Sequence, residues 1–241
     1  MTSPDGPARK AEEVRAMFGA IAHRYDLANH LLSLNFDRWW RRIAVQKIKA
    51  RLRRNDFDAL DLACGTGDLT LALGAATRGR VVGMDFCHPM LMMGVNKRAR
   101  QDHSSCINFS EADALKLPLK DSSFDAVTIA FGLRNLEDYG KGLSEMYRVL
   151  RPAGVLGVLE FSRPLMPLFR HVYQFYFSRI LPWLGSRVSG VEGPYSYLPD
   201  SVSKFPSQRE LKELMEQIGF VEVVFFNLNG GIAALHLGTK R

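Results

Sequence analysis

The chain has 241 residues, 46% of them apolar and 24% charged, which suits one globular domain or a domain with an appended lobe. A formal net charge of +7 is compatible with an anionic membrane surface, a nucleic acid or an acidic substrate, and does not choose among them. Cys64, Cys87 and Cys106 lie far apart without CxxC spacing, which argues against a disulfide framework and against a zinc site.

Neither the first residues of the chain nor its most apolar stretch has the pattern of a membrane-crossing segment. The first 15 residues, MTSPDGPARKAEEVR, are polar and lack the apolar core of a secretory signal. The most apolar stretch, at 165–184, contains Arg170, His171 and Arg179, which are costly in the centre of a bilayer. We therefore expect a cytoplasmic protein, with peripheral contact at the inner face of the membrane left open.

Taken in chain order, the segments before residue 55 are expected to be a disordered tail at 1–10 and an N-terminal helical lid at 11–54. The second helix of that lid, RWWRRIAVQKIKARLRR at 38–54, has eight basic residues and no acidic one. Its apolar residues recur at helical spacing on one face: Trp40, Ala44, Ile48 and Leu52. Such a face requires a packing partner.

From residue 59 onward, short strand-like runs alternate with helical patterns. The five runs are ALDLAC at 59–64, RVVGMD at 80–85, CINFSE at 106–111, FDAVTIAF at 124–131 and GVLGVLEF at 154–161. The helical patterns between them fall at about 68–77, 88–101 and 138–150. This alternation predicts an α/β fold in which helices cover both faces of a parallel sheet.

The pattern changes after Phe161. An aromatic-rich helical stretch and a helix near 207–218 come first, and EVVFFNL and IAALHLG follow, joined through NGG. We expect the last two runs to form an antiparallel pair that closes the sheet. The predicted domain therefore spans 55–241, with a helical cap inserted at 163–206.

The stretch LDLACGTGDL at 60–69 places a glycine-bracketed turn between the first strand and the first helix of the sheet. A phosphate loop would need GxxxxGK[ST] and a dinucleotide site GxGxxG, but Thr70 stands where the third glycine after Gly65 and Gly67 should be. Asp61 and Asp68 would also repel a phosphate at the start of that helix. A phosphate-free, cationic nucleoside avoids this conflict, and S-adenosylmethionine is such a molecule.

Carboxylates fall at the ends of the first three predicted strands. Beyond Asp61, Asp85 closes the second strand, where it can accept hydrogen bonds from both ribose hydroxyls. Asp113, just past the third strand, can accept from the adenine amino group. Each aspartate alone is more often a cap or a turn residue, but three in this order favour the sulfonium cofactor over a dinucleotide, which stays the alternative.

Five stretches carry a family resemblance: YDLANHLLSLNFDRWW at 25–40, LDLACGTGD at 60–68, VTIAFGLRNLED at 127–138, MYRVLRPAGVLGVLEFS at 146–162, and YSYLPDSVSKFP with NLNGGIAALHLGTK near the end. Through them the chain resembles the UbiE/MenG/COQ5 family of quinone-biosynthesis C-methyltransferases from about Val14 on. FGLRN and the YDxxN pattern are far more specific than a general methyltransferase signature. Departures from the family are Ala28 for methionine, Asp37 for histidine, Ala130 for serine, and Ala153 for glycine, the last implying a turn that does not need glycine's φ freedom.

The resemblance implies a class I S-adenosylmethionine-dependent methyltransferase, with a Rossmann-like, mostly parallel sheet, a C-terminal antiparallel strand, N-terminal helices and a helical cap. By matching position, the cofactor contacts fall on Thr66, Asp85 and the pair Asp113 and Ala114, with a backbone contact at Ala130. Together with the turn residues, the expected cofactor-binding set is Asp61, Gly65, Thr66, Gly67, Asp85, Asp113, Ala114 and Ala130. No metal is expected.

The implied reaction moves a methyl group to a ring carbon of a polyprenylated quinol. Arg134 is expected to stabilise the phenolate and Asn135 to orient an oxygen, from a position facing the cofactor methyl. The alternative for Arg134 is an ion pair with a local acid such as Glu137. Tyr25 is expected to bind a quinol oxygen or relay its proton, unless it is a core tyrosine. The base stays open among His23, His30 and His171.

The partner expected first is a demethylmenaquinol that becomes menaquinol, with a methoxy-benzoquinol of the ubiquinone pathway as the alternative. Residues 167–185 and the basic helix at 38–54 are candidates for an interfacial surface that admits the prenyl tail. Trp39 and Trp40 are either interface anchors or core residues. A nucleic-acid methyltransferase and a non-catalytic cofactor-binding scaffold are the rival functions, and the oligomeric state is open.

Overall fold

The computed structural model describes residues 15, 19, 33, 35–101, 106–162, 164 and 194–241. The predicted tail at 1–10 and Tyr25 lie outside these residues, as do His23, His30 and His171. Most of the predicted cap at 163–206 and most of the lid before residue 35 lie outside them as well. The division into lid, cap and main domain therefore stays a prediction.

The described helices and strands follow the predicted alternation. The first part of the chain forms α1 (Phe36–Leu52), β1 (Ala59–Leu62), α2 (Asp68–Gly74), β2 (Val81–Asp85), α3 (His88–Arg98) and β3 (Ile107–Glu111). The second part forms β4 (Phe124–Ala130), α4 (Tyr139–Val149), β5 (Leu150–Phe161), α5 (Pro194–Lys204), α6 (Gln208–Ile218), β6 (Phe220–Leu228) and β7 (Ala233–Lys240). A short 3₁₀ turn, Leu133–Asn135, follows β4.

The strands form one seven-stranded sheet in the order β3-β2-β1-β4-β5-β7-β6. The pairs from β3 through β5 are parallel, whereas β7 is antiparallel to both of its neighbours, β5 and β6. The predicted closing pair is thus present. Strand β7 lies inside the sheet and its first six residues are buried, whereas β6 lies at the edge and mixes buried, partly buried and exposed residues.

One expectation about the backbone is wrong. Ala153 adopts φ +61°, the left-handed region that favours glycine, so this turn does use the conformation that a glycine would supply. The turn lies where the pairing of β5 with β4 shifts between Phe124 and Ala126. Because residues before this irregularity still pair with β4, β5 begins at Leu150, four positions earlier than the predicted run at 154–161.

The apolar face of α1 packs against the sheet, as its helical spacing predicts. Trp40, Ala44 and Ile48 are buried, and the Ile48 side chain lies so close to Gly157 of β5 that an added Cβ would stand 2.7 Å from it. The Trp40 indole packs against Phe131 and Phe161, and its Nε1 donates to Asn229 Oδ1 at 2.7 Å. Trp40 is therefore a core residue, whereas the neighbouring Trp39 is 47% exposed.

The other face of the sheet is covered by α4 and α6. Asp138 caps α4 by accepting from the Lys141 N–H, and Ser207 and Glu210 form a reciprocal capping box at the start of α6. Leu143, Met146, Leu211 and Met215 are buried in the core on this side. Within the described part of the chain, no helix is both long enough and apolar enough to cross a bilayer.

Candidate active site

A cavity of about 610 Å³ opens at the carboxyl ends of β1, β2 and β4. This is the edge where α/β sheets of this kind bind ligands, because the turns that follow parallel strands meet there. Most of its lining is apolar, and the carboxylates of Asp85 and Asp113 lie among the lining residues. The described residues hold no group of three His, Cys, Asp or Glu side chains that could bind a metal ion.

The turn between β1 and α2 has the backbone that its glycines predict. Gly65 and Gly67 have φ values of +55° and +81°, which few other residues adopt without strain. A Cβ on Gly67 would stand 2.6 Å from the Phe109 ring, while a Cβ on Gly65 would meet nothing closer than 3.8 Å. Gly65 therefore leaves room beside the cavity that it lines, and Gly67 allows close packing behind it.

Asp85 is held rigidly at the end of β2. Its carboxylate accepts from the Gly65 N–H at 2.8 Å and from the Cys87 N–H at 2.8 Å, so the first strand-end turn and the second are tied together. Burial raises the pKa of Asp85, and these backbone donors oppose that rise. A carboxylate fixed in this way at a cavity wall is placed to accept from paired hydroxyls.

Asp113 and Ala114 form another part of the wall. The Asp113 carboxylate accepts from the Leu115 N–H at 2.8 Å, which turns the chain back after β3. Asp113 is exposed at the rim and Ala114 is buried, so a polar edge and an apolar surface lie side by side. Ala130, at the end of β4, lines the cavity too.

Asp61 lies behind the cavity and does not line it. It is 1% exposed, and the hydroxyls of Thr70 and Thr128 donate to its two oxygens at 2.6 and 2.8 Å. Thr70 thus has a specific use at the position where a dinucleotide site would have its third glycine. Burial raises the pKa of Asp61 to about 6, and the two hydroxyl donors lower it only in part.

Thr66 and Gly67 also lie outside the cavity lining. The Thr66 hydroxyl accepts from Lys97 Nζ at 2.9 Å, and the same ammonium group pairs with Asp68 at 2.6 Å. The charge of Asp68 is therefore compensated by α3, so the expected repulsion of a phosphate depends on Asp61 and Asp85 instead. Five predicted cofactor residues line the cavity, and three lie in the layer behind it.

Arg134 does not project into the cavity. It is 7% exposed, and its Nη1 pairs with Glu160 Oε1 at 2.8 Å and also donates to the Phe131 carbonyl. Glu160 accepts from the Arg134 N–H at 3.3 Å and from the Phe161 N–H at 2.9 Å. The acid beside Arg134 is therefore Glu160 at the end of β5, and not Glu137, the local partner considered from the sequence.

Asn135 is the member of the FGLRN stretch that faces the ligand space. It lines the cavity, and its Oδ1 is buried without a hydrogen-bond partner among the residues that the structure describes. A buried oxygen of this kind costs free energy unless a donor reaches it. The Arg134–Glu160 pair holds the backbone of the turn that presents this oxygen. The side chain is therefore prepared to accept a hydrogen bond from a ligand hydroxyl.

Two structural partners were not found by sequence reasoning. Glu160 carries a signal in the sequence, since a charged residue inside the apolar run GVLGVLEF is unusual and implies a buried partner. Lys97 has no such signal, because it lies 31 positions after Thr66 and looks like an ordinary charged helix residue. Arg15 lines the cavity as well and pairs with Glu111.

The residues at this cavity fit S-adenosylmethionine. The apolar walls suit an adenine ring, Asp85 can accept from ribose hydroxyls, and Asp113 can accept from the adenine amino group. The carboxylates of Asp61 and Asp85 make the inner end favourable for a cation and unfavourable for a phosphate. The predicted binding roles of the individual residues stay predictions, because the geometry describes positions and no contact with a ligand.

Comparison with known proteins identifies the family. The model of the ubiE/COQ5 methyltransferase family matches residues 7–240. The demethylmenaquinone methyltransferase of Thermus thermophilus is 49% identical over 225 residues, which cover 93% of this chain and 100% of that protein. The ubiquinone/menaquinone biosynthesis C-methyltransferase UbiE of Geobacter sp. (strain M21) is 47% identical over 235 residues, covering 97% of this chain and 98% of that protein.

Solved structures show the same fold. A SAM-dependent methyltransferase from Aquifex aeolicus has a TM-score of 0.59 and 17% sequence identity, and the match covers 82% of this chain and 89% of that one. The predicted Rossmann-like sheet with its antiparallel strand is confirmed by this likeness and by the strand order. Together with the family match over almost the whole chain, the relationship implied by the motifs is confirmed: this chain belongs to the ubiE/COQ5 methyltransferase family.

Proposed function

We propose that this enzyme transfers the methyl group of S-adenosylmethionine to a ring carbon of a polyprenylated quinol in menaquinone biosynthesis, converting demethylmenaquinol to menaquinol. The family membership and the 49% identity to a protein named demethylmenaquinone methyltransferase support the substrate class. The observation that carries the proposal is that one cavity is lined by Asp85, by Asp113 and by Asn135, whose buried Oδ1 has no hydrogen-bond partner among the described residues.

When bound, S-adenosylmethionine supplies an electrophilic methyl group on a cationic sulfur. The chain's task is to hold a quinol carbon in line with that methyl group and to help the neighbouring hydroxyl lose its proton, since the phenolate makes the ring carbon nucleophilic. A carbon–carbon bond forms as the carbon–sulfur bond breaks, and the ring carbon then loses its proton. The sulfonium charge disappears in the transfer, so no metal is required.

Asn135 orients the quinol oxygen in this proposal. Its Oδ1 accepts from the hydroxyl, and its amide N–H groups are available to the phenolate after the proton has left. Arg134 was expected to stabilise the phenolate directly. Because its guanidinium lies on Glu160, we assign it the role of a positioning residue that holds the turn carrying Asn135. Tyr25, outside the described residues, is kept as the proposed proton relay.

The cofactor roles are proposed in two layers. Gly65, Asp85, Asp113, Ala114 and Ala130 touch the cofactor from the cavity wall. The other three residues lie behind the cavity wall and do not touch the cofactor. Asp61 acts on the cofactor through its charge, and Thr66 and Gly67 act by setting the shape of the turn. The prenyl tail leaves the cavity towards the inner face of the membrane, with which the protein makes peripheral contact.

Methyl transfer to defined acceptors tests the proposal. Purified protein with labelled S-adenosylmethionine is expected to methylate demethylmenaquinol, and Asn135→Ala is expected to lower kcat about 100-fold, as the loss of one oriented polar group in a dry site does. Glu137→Gln, a change of a neighbouring lining residue, serves as the matched control and is expected to keep most of the activity.

The same assay separates the rival functions. Methylation of a methoxy-benzoquinol in preference to demethylmenaquinol would move the enzyme to the ubiquinone pathway. Methylation of RNA with none on either quinol would make it a nucleic-acid methyltransferase. Binding of the cofactor without transfer to any acceptor would leave only a scaffold role.

A further inference from the structure

The outward side of α1 combines exposed aromatic and basic side chains. We call it the α1 outer surface, and it consists of Phe36, Arg38, Trp39, Arg42 and Arg53. Phe36 and Trp39 are 43% and 47% exposed, two of the few large apolar side chains that the described part of the chain leaves in contact with water. Both stand at the first turn of the helix, where the Phe36 ring also stacks on Trp40 with 6.3 Å between the ring centroids. Arg38 and Arg42 lie in the first two turns, and Arg53 is the residue that caps the helix at its end.

The arginines of this surface are not paired with acids in the described part of the chain, although the adjacent Arg51 and Arg54 pair with Glu222 and Asp125. Asp37, the acidic residue of α1, is buried on the other side of the helix, where it accepts from Ser33 and pairs with Arg41. Arg38, Arg42 and Arg53 form no ion pair with any described residue. The helix α6, on the opposite face of the sheet, differs because Arg209 and Lys212 pair with Glu213 and Glu216 one turn on.

The aromatic end of the α1 outer surface lies next to the cavity. Trp39 points outward, and the following residue, Trp40, points inward, where its ring centroid is 6.0 Å from that of Phe131. Phe131 lines the cavity. A surface that covered Trp39 would therefore lie about one helix diameter, roughly 10 Å, from the cavity wall.

The neighbouring edge of the sheet adds apolar area on the same side. Phe226 of β6 belongs to the core cluster beneath α1, and Lys47 Nζ lies 3.6 Å from the centre of its ring. Val224 is 41% exposed and points to the same side as Phe226, because side chains alternate along a strand. The basic helix is thus flanked here by apolar side chains, and the exposed acid Glu222 on the same strand is paired with Arg51 of α1 at 3.0 Å.

We propose that the α1 outer surface docks this protein on an anionic lipid bilayer and so brings the cavity to the place where a lipid-linked quinol is found. The benefit of docking rests on the proposed function, because a lipid-linked substrate lies in the bilayer. The docking itself is inferred from the charge and exposure of the α1 side chains. Basic side chains bind anionic headgroups, and amphipathic tryptophan and phenylalanine side chains enter the interface. Nucleic acid offers phosphates too, but it gives no reason for two exposed aromatic residues at the end nearest the cavity.

Vesicle co-sedimentation tests the docking without any need for catalysis. The whole protein is expected to bind vesicles of equal parts phosphatidylcholine and phosphatidylglycerol, and to bind pure phosphatidylcholine vesicles much less. The double variant Arg38→Gln and Arg42→Gln is expected to lower the partition coefficient about 25-fold, since each basic residue at an anionic surface contributes about fivefold. Trp39→Gln is expected to weaken binding at high salt, where the electrostatic part is screened.

The matched control removes two charges from the other face of the molecule through Arg209→Gln and Lys212→Gln. This variant is expected to bind anionic vesicles as the unchanged protein does. All variants should keep the circular dichroism of the parent and its activity on a short-tailed quinol dispersed in water. Activity on a long-tailed quinol embedded in anionic vesicles should fall in the Arg38→Gln and Arg42→Gln variant alone.

Three results would overturn the docking surface. The first is vesicle binding that does not depend on the phosphatidylglycerol content. The second is an equal decrease of the partition coefficient in the two double variants. The third is that the α1 variant loses RNA binding but keeps its vesicle binding. The proposed function fails separately. If no quinol is methylated but vesicle binding depends on Arg38 and Arg42 as expected, the surface stands and the assigned reaction does not.

Discussion

The ion pair between Arg134 and Glu160 holds two opposite charges where almost no water reaches them. Both side chains are nearly buried, at 7% and 1% exposure, so each charge depends on the other for stabilisation. Burial raises the pKa of Glu160, and the Arg134 guanidinium opposes that rise. A pair of this kind is costly to break, because the remaining charge stays in the interior without a partner.

Glu160→Gln is therefore expected to lower the free energy of unfolding by about 3 kcal/mol, near the lower end for a broken buried pair because glutamine keeps one acceptor oxygen. Urea unfolding followed by circular dichroism measures the change. Glu137→Gln is the matched control, since Glu137 is exposed, and it should stay within about 0.5 kcal/mol of the parent. Equal losses in the two variants would argue against Glu160 as the principal partner.

Asp61 makes cofactor binding dependent on pH. Its pKa of about 6 means that near pH 6 about half of the molecules without ligand hold a proton there. A cation bound in the cavity favours the carboxylate, so binding is expected to release about half a proton at pH 6 and to become tighter as the pH rises from 5 to 7. Calorimetry in two buffers with different ionisation enthalpies measures the released protons.

Asp61→Asn identifies the source of those protons. The variant should bind the cofactor more weakly, and the heat of binding should depend much less on the buffer. Some dependence can persist, because burial raises the pKa of Asp85 as well. Heats that do not differ between buffers for the parent protein would contradict the assigned role of Asp61.

At the scale of the elements, the turn between β1 and α2 makes two different demands on its glycines. The new Cβ of Gly65→Ala would make an ordinary contact with Met90 at 3.8 Å, so only the left-handed backbone costs free energy, about 1–2 kcal/mol. Gly67→Ala adds a clash with Phe109 at 2.6 Å, and the overpacking brings the expected loss to about 3 kcal/mol. Unfolding of the two variants side by side measures the difference. An equal decrease in the free energy of unfolding of the two variants would mean that the Phe109 ring moves aside at no cost.

The elements that could be predicted from the sequence are those whose pattern is local. The runs at 59–64 and 124–131 are mostly apolar because both faces of their strands are covered, and the structure confirms β1 and β4 there as almost continuously buried strands. The strand-end aspartates follow from the same alternation, and Asp85 and Asp113 do meet at one cavity. Periodicity identifies an element, and the turn chemistry identifies its ends.

Features that join distant parts of the chain could not be predicted. The insertion of β7 between β5 and β6 depends on which of two apolar strands is buried more completely, which becomes visible only when the sheet is assembled. Arg134 and Glu160 lie 26 positions apart, and Thr66 and Lys97 lie 31 apart. The sequence pattern predicts the Arg134 charge in the site because the buried acid that pairs with it, Glu160, is distant in the chain.

At the scale of the whole molecule, the two faces of the sheet differ in charge and in how they are covered. The α1 side carries uncompensated arginines and exposed aromatic side chains, whereas the surface of α6 is balanced by ion pairs one turn apart. The cavity opens at the edge between the two faces. A molecule built in this way can present one face to an anionic surface while the other stays in water, without any change in its core.

The joint between β7 and α6 depends on a buried, neutral histidine. His236 is 2% exposed, its Nε2 lies 2.8 Å from the Gln208 carbonyl oxygen, and its ring packs against Phe225. Its Nδ1 is buried and has no hydrogen-bond partner in the described part of the chain. Because the interior disfavours the charged imidazolium, burial lowers the pKa of His236 from 6.5 to about 4.

His236 is therefore expected to make the whole fold sensitive to acid. A lowered pKa in the folded state means that the unfolded chain takes up the proton first, so the contribution is complete above pH 6.5 and is lost as the pH falls towards 4. The loss amounts to about 3 kcal/mol at pH 4, the free-energy equivalent of the pKa difference. Unfolding in urea at a series of pH values, with His236→Leu beside the parent, measures it.

The difference in the free energy of unfolding between the parent and His236→Leu separates the contribution of this histidine from that of the carboxyl groups that titrate in the same pH range. Asp61 works in the opposite direction, because its raised pKa lets the folded state keep a proton that the unfolded chain loses between pH 3.8 and 6. It is present in both proteins, so its contribution cancels. The free energy of unfolding should fall less steeply between pH 6.5 and 4 in His236→Leu than in the parent. His88→Gln, a change at an exposed histidine, should leave this pH dependence unchanged. If the free energy of unfolding of His236→Leu falls as steeply with decreasing pH as that of the parent, the buried imidazole does not limit the stability of the fold in acid.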